Sequence, residues 1–291
     1  MKPRIAIIGK NGRLGAALCR VLAESYEIVS FRRDELDLAK PIEKQLEHVD
    51  FDLMINTAAA TNVDWCEQHE SEAEQINARA VASLGGICAE RGVRCVHLST
   101  DYVFDGLARR PCTEEDPAVP ISAYGRTKRL GEALLLEADA RHLVIRVSWV
   151  FGPDKPSFID WALDQATTRD AFSAIDDKYS APTYTLDFAG WIRPLLFELP
   201  IGGILHLCNS GCCTWREYAQ AAIGVARELG VPVIAEKVHP STLASMKTFI
   251  AARPVYTMMA TEKFSRATGL ILRPWQEAVR DFVRSKYSHR R

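Results

Sequence analysis

The sequence contains no Cys-x-x-Cys pair, although it has 8 cysteines. Cys19, Cys66, Cys88, Cys95, Cys112, Cys208, Cys212 and Cys213 are scattered. Their tightest cluster, CNSGCC at 208–213, has no histidine at zinc-site spacing, which argues against a zinc ribbon or finger. The expectation is no metal site, with thiols kept reduced and used as small core residues. Charge of one sign is also missing: 36 basic and 37 acidic residues leave a net charge of -1. That removes the electrostatic footprint of a nucleic-acid binder. No apolar run reaches 18 residues, and RIAIIG near the N-terminus is not preceded by the basic and apolar regions of a signal peptide. The expectation is a cytoplasmic protein with no membrane segment. Internal repeats and low-complexity linkers are absent as well.

What is present is an alternation of apolar, β-branched runs with helical patterns. Across 291 residues, 47% hydrophobic and 25% charged, there is ample material for a large core. RIAIIG, YEIVSF, DLMINTAA, VRCVHLST and HLVIRVSWVFG read as strands. Between them lie helical patterns, including Leu14, Leu18, Val21 and Leu22, a stretch from about 73 to 91, and one beginning near Ser122. Strand–helix alternation of this kind predicts a Rossmann-like, doubly wound parallel sheet with helices on both faces. After Gly152 the rhythm loosens, and one further strand candidate occurs at GGILHLCN. We therefore expect a dinucleotide-binding unit over 1–150 that is rejoined near 184–210, and a smaller α/β substrate lobe from 151–183 and 211–291.

Three stretches carry chemistry. GKNGRLG places Gly9, Gly12 and Gly15 between the first strand and first helix. There glycines permit a tight turn and let backbone approach a pyrophosphate at a helix N-terminus. The second strand ends in SFRRDELD. Arg32 and Arg33 favour the 2′-phosphate of NADP(H), while Asp34 keeps NAD(H) open through the ribose 2′-hydroxyl. The fourth strand ends in HLSTDYVFDG, and YGRTK follows at a helix start. Ligands bind beyond the carboxyl ends of parallel strands, which is where Ser99, Thr100, Asp101 and Tyr102 fall. Tyr124 and Lys128, four residues apart, share one helix face.

A strand-end Thr with a Tyr-x-x-x-Lys helix resembles the short-chain dehydrogenase/reductase superfamily. The likeness is closer to one family. NTAAATNVDWCE, EQINA, STDYVFDG, YGRTKRLGE, RVSWVFG, DDKYSAPTYT and RPWQEA stand in the order seen in dTDP-4-dehydrorhamnose reductases and span nearly the whole chain. The resemblance implies reduction of the 4-keto group of dTDP-4-dehydro-β-L-rhamnose to dTDP-L-rhamnose with NADPH, or NADH. The dTDP-sugar is the expected partner, and a homodimer is carried as the assembly. Tyr124 is then the proton donor to the nascent alkoxide, and Lys128 lowers its pKa and holds the nicotinamide ribose. Thr100 orients the carbonyl oxygen. The candidate cofactor set is Gly9, Asn11, Gly12, Arg13, Leu14 and Gly15, then Arg32 and Arg33, then Ala58, Ala59 and Ala60, with Tyr124 and Lys128. The candidate substrate set is Thr61, Val63, Thr100, Asp101, Tyr102 and Trp149, the last offering a flat apolar face with one polar handle.

The chain departs from that family's pattern in places. Lys178 stands where Gln is usual, Ser180 where Gly is usual, and VYTMM at 255–259 replaces an Asn-Ser-x-Leu-like stretch. The residue after Thr100-Asp101 is Tyr102 rather than the Glu of a sugar-nucleotide dehydratase, which argues against dehydration. A reductase or epimerase of another nucleotide sugar stays open. So does a non-catalytic NADP-binding subunit resembling the regulatory subunit of methionine adenosyltransferase.

Overall fold

The computed structural model describes residues 2–199 and 201–288. Residues 1 and 200, expected in the first unit and its return, and 289–291, expected in the second, lie outside the described residues. The first half runs β1 (Arg4–Ile8), α1 (Arg13–Leu22), β2 (Glu27–Phe31), α2 (Ile42–Leu46), β3 (Leu53–Asn56), α3 (Val63–Gln68), α4 (Glu70–Glu74), a π-turn (Gln75–Arg79), α5 (Ala80–Glu90), β4 (Arg94–Thr100), α6 (Ala123–Ala138) and β5 (Leu143–Val147). The second continues with β6 (Val150–Phe151), α7 (Phe158–Thr168), β7 (Phe172–Ile175), β8 (Tyr179–Ser180), β9 (Thr183–Tyr184), α8 (Thr185–Trp191), α9 (Arg193–Phe197), β10 (Gly203–His206), β11 (Cys213–Thr214), α10 (Trp215–Glu228), β12 (Val238–Ser241), α11 (Glu262–Thr268) and α12 (Trp275–Tyr287).

All six strands read from the sequence enter one sheet, in the order β10-β5-β4-β3-β1-β2, and every pairing in it is parallel. This is the doubly wound fold the alternation predicts. Parallel strands covered on both faces must be apolar throughout, and the pleat sends alternate residues to opposite cores. Ile5, Ile7, Leu53 and Ile55 meet Leu14, Leu18 and Leu22 of α1, Phe188 of α8 and Ile192 just after it on one face. Ala6, Ile8 and Met54 meet Val81, Leu84 and Cys88 of α5 on the other. A third core, centred on Phe151, Leu163, Tyr218, Trp275 and Phe282, joins α7, α10 and α12.

Two elements differ in detail from the sequence reading. HLVIRVSWVFG is not one strand: β5 stops at Val147, and Trp149 adopts φ 41° before β6 begins. A left-handed conformation at a bulky residue ends pairing and turns the chain off the main sheet. The helix expected over about 73–91 contains the π-turn at 75–79. That extra-wide turn carries the fully buried Asn77, whose role appears below.

The chain goes from β1 to β2 on one side, then crosses to β3 on the other. The crevice at the carboxyl ends of β1 and β3 is therefore the topological switch point, where ligands bind in open parallel sheets.

Candidate active site

A cavity of about 600 Å³ opens at that switch point. Gly9, Asn11, Gly12, Arg13 and Leu14 form one wall, and Ala58, Ala59, Ala60 and Thr61 form another. Arg32 and Arg33 lie on its rim side, and Tyr124 and Lys128 also line it. The glycines are sterically required. Gly9 has φ 90°, and a Cβ on Gly15 would sit 2.2 Å from the Gly9 carbonyl oxygen. Gly15 thus packs helix against turn rather than facing the cavity. Helix α1 starts at Gly12, which supplies no side-chain cap, so its first N–H groups are left for a ligand. Ser99 Oγ, on the cavity wall, is buried with no hydrogen-bond partner. Uncapped N–H groups, a glycine cradle and an orphaned hydroxyl together suit a dinucleotide.

Residues not singled out in the sequence hold the loops around the cavity. Glu35 organises the loop after β2: its carboxylate accepts from the Arg32 backbone N–H at 2.8 Å and pairs with Lys10 at 2.9 Å, which holds it near pKa 2. Arg32 pairs with Glu35 at 3.1 Å and with Asp34 at 3.4 Å, while the Arg33 side chain is 82% exposed. Lys155, from the loop after β6, adds a further cation to the wall. Arg20 bonds Asp154 at 2.9 Å and Arg13 donates to the Pro156 carbonyl, so that loop is strapped to α1. Its only sequence signal was the turn-forming GPDKP that carries Lys155.

The helix bearing Tyr124 is fixed from several sides. Ser122 caps it by accepting from Gly125 N–H, and Glu67 accepts from Ala123 N–H at 2.8 Å. Arg126 makes a bidentate pair with Glu70 at 2.8 and 2.9 Å. Asn77, presented by the π-turn, accepts from Ala60 N–H at 2.8 Å and donates to Ala60 O and to Thr127 Oγ1, each at 3.1 Å. It ties the loop after β3 to α6, which accounts for the EQINA motif.

At the centre, the Tyr124 phenol is pushed up by burial, an effect that the hydrogen bond with Thr100 opposes and the Asp101 charge reinforces. Thr100 Oγ1 accepts from Tyr102 N–H at 3.2 Å and donates to Asp101 at 3.3 Å. Lys128 is 1% exposed, and burial brings its ammonium down to about 7. Its Nζ lies 2.9 Å from His97 Nε2 and donates to Leu98 O at 2.7 Å, so its bonds go to β4 rather than to the phenol. Tyr102 packs edge-on against Tyr124, with centroids 5.6 Å apart.

The remaining substrate candidates are more dispersed. Val63 begins α3. Asp101 is buried behind Thr100, accepting from Ser180 Oγ at 3.1 Å and Thr257 Oγ1 at 2.5 Å. Trp149 packs on Trp215 and Tyr218 at 5.8 and 6.3 Å, with its Nε1 buried and unpartnered. The departures at Lys178, Ser180 and 255–259 prove to be mutually adapted. Lys178 is fully buried, donates to Pro254 O, sits 4.9 Å from the Tyr102 ring and faces the Asp101 charge. Among the described residues, no group of three or more His, Cys, Asp or Glu side chains is placed to hold a metal ion.

A doubly wound sheet with a glycine cradle at its switch point, and Thr, Tyr and Lys converging beside it, defines an oxidoreductase of the short-chain dehydrogenase/reductase type. The chain belongs to the RmlD substrate binding domain family, whose model matches residues 2–288. It is 32% identical to the dTDP-4-dehydrorhamnose reductase of Escherichia coli K12, over 98% of both chains. It is 36% identical to a probable dTDP-4,6-dihydroxy-2-methyloxan-3-one 4-ketoreductase of Streptomyces antibioticus, over 96% of this chain and 94% of that one. The crystal structure of a Bacillus anthracis dTDP-4-dehydrorhamnose reductase in complex with NADP superposes with TM-score 0.89 at 29% identity, over 97% and 99% of the two chains.

Proposed function

We propose that this protein reduces the 4-keto group of dTDP-4-dehydro-β-L-rhamnose to give dTDP-L-rhamnose, using NADPH, with NADH as the alternative donor. The observation that carries this reading is that Tyr124 and Lys128, one helical turn apart, line the same cavity as the Gly9–Leu14 turn, with Thr100 following the cavity-wall residue Ser99 at the end of β4. The E. coli and B. anthracis relatives, matched over nearly their whole lengths, support it.

Bound NADPH supplies the hydride to the ketone carbon. The Gly12–Leu14 amides would take the pyrophosphate, and Arg32, Arg33 and Lys155 the 2′-phosphate side, with Ser99 Oγ free to meet a ligand oxygen. Reduction leaves negative charge on the ketone oxygen, which must receive a proton. Burial keeps the Tyr124 phenol protonated at neutral pH, the state required of an acid. Thr100, at the end of β4 beside that phenol, orients the carbonyl oxygen. Segments 151–183 and 211–291 would hold the sugar nucleotide, with Tyr102 and Trp149 at its edge.

Incubating the purified protein with dTDP-4-dehydro-β-L-rhamnose and NADPH tests the reading. The expected result is one NADPH oxidised per dTDP-L-rhamnose formed. Isomerised sugar without cofactor consumption would indicate an epimerase, and no turnover with cofactor bound would indicate a non-catalytic binding subunit.

A further inference from the structure

His97 was not part of the site read from the sequence, yet it is fully buried on β4 directly against Lys128. The hydrogen bonds around it have a forced direction. Ala58 N–H can only donate, and its acceptor is Asn56 Oδ1 at 3.0 Å. That fixes the Asn56 amide, so its NH₂ faces His97 Nδ1 at 3.1 Å and Nδ1 must accept. A neutral imidazole that accepts at Nδ1 carries its proton on Nε2. Nε2 is the atom 2.9 Å from Lys128 Nζ.

We propose that His97 is a positioning residue that donates its Nε2–H to Lys128, so that the free protein holds Lys128 as an uncharged amine and cofactor binding is coupled to uptake of a proton there. An amine satisfies every contact: it accepts from His97, donates to Leu98 O, and keeps one N–H for the cavity. In the free protein an ammonium would set two donors against each other, and relief by the other His97 tautomer would do the same at Asn56; this is the cost that the acceptor oxygens of a bound cofactor have to outweigh.

The charged groups around Lys128 agree. On its own helix, Glu132 is the carboxylate that favours the ammonium, but it is already held by Arg146 of β5 at 2.8 and 2.7 Å and by Arg129 at 3.5 Å. Tyr124, one turn earlier, is neutral. From β4 and β3 come only His97, whose own protonation is suppressed by burial and by Lys128, and the uncharged Asn56. Across the cavity, Arg13, Arg32, Arg33 and Lys155 add positive charge. A bound dinucleotide brings the opposite: phosphate charge and ribose oxygens that accept from an ammonium. This inference rests on assigning Lys128 to the cofactor ribose, while its structural half, the tautomer, does not.

Two measurements test it. In ¹⁵N-labelled wild-type protein without cofactor, long-range ¹H–¹⁵N spectra, assigned through the His97 amide, should show protonated Nε2 and bare Nδ1. A proton on Nδ1 would overturn the inference and leave the reductase reading intact. Second, NADPH affinity is followed by fluorescence from pH 7.5 to 8.5, above the titration of the 2′-phosphate near pH 6. An amine that must be protonated on binding, with free pKa about 7, weakens affinity roughly eightfold over that unit. His97→Gln, whose amide oxygen accepts from an ammonium, should flatten the dependence to less than about twofold. A flat wild-type profile, or an equally steep one in the variant, would overturn the coupling. Because the tautomer and the wild-type profile need no variant, a misfolded His97→Gln would not shelter the idea.

Discussion

Breaking the buried pair Glu132–Arg146 should be among the most damaging single changes outside the reacting groups. Their side chains are 0% and 1% exposed. Arg146 grips both carboxylate oxygens, at 2.8 and 2.7 Å, while its guanidinium lies 5.1 Å over the Phe104 ring. Its other flank meets His206 Nε2 at 3.4 Å, and burial followed by the Arg146 charge drives that imidazole down to about 3. His206 is thus a neutral acceptor for Arg146 and brings no negative charge to replace the lost carboxylate. Glu132→Ala leaves a guanidinium buried without a counter-ion, a change that costs about 3–5 kcal/mol. For a chain of this length, each kcal/mol moves Tm by roughly 2 °C, so the drop should approach 6–10 °C. Replacing both partners, Glu132→Leu with Arg146→Met, removes the stranded charge and should recover most of the loss. Urea titration of the two single variants and the double variant supplies the cycle. A Glu132→Ala cost below about 1 kcal/mol, or a double variant worse than either single one, would refute the reasoning.

Other expectations concern the site. Replacing Arg32 and Arg33 with Ala should weaken NADPH by roughly tenfold to a hundredfold and NADH far less, as charge-assisted contacts of about 1.5–3 kcal/mol are lost; fluorescence titration with each cofactor reads the difference. Gly15→Ala would drive a methyl into the Gly9 carbonyl, 2.2 Å away, so cofactor affinity should fall more than tenfold, and unchanged affinity would mean that the turn can shift freely. Trp149→Phe keeps most of the packing on Trp215 and Tyr218 but removes a buried indole N–H that has no protein partner. A sugar-contact role therefore expects a raised KM at nearly unchanged Tm, and the reverse pattern would assign Trp149 to packing alone.

The strands were legible because residues buried on both faces of a parallel sheet leave continuous apolar runs, and all six such runs reached the sheet. The Gly9–Gly15 turn and the Tyr124/Lys128 pair were legible for a related reason: strand–turn–helix context limits where such residues can point. The break at Trp149 was not, since nothing in RVSWVFG marks a left-handed residue and tertiary packing on Trp215 and Tyr218 imposes it. Asn56, Asn77 and His97 escaped for another reason. Each acts through hydrogen bonds to segments 17 to 50 residues away, and no local pattern encodes such partners. Lys178 and Ser180 read as isolated departures in the sequence, but in the fold both converge on Asp101.

The proton transfer assigned to Tyr124 is the centre of the account, and Tyr124→Phe tests it with the least disturbance. Removing the hydroxyl leaves Thr100 still bonded to Asp101 and Tyr102 N–H, so no buried donor is orphaned and Tm and NADPH affinity should hold. The measurement is the single-turnover rate of NADPH oxidation with dTDP-4-dehydro-β-L-rhamnose, wild type against variant. Loss of the acid should slow it by roughly a hundredfold to ten-thousandfold. A variant rate within about threefold of wild type would contradict the mechanism and return Tyr124 to the role of a buried residue at a helix start.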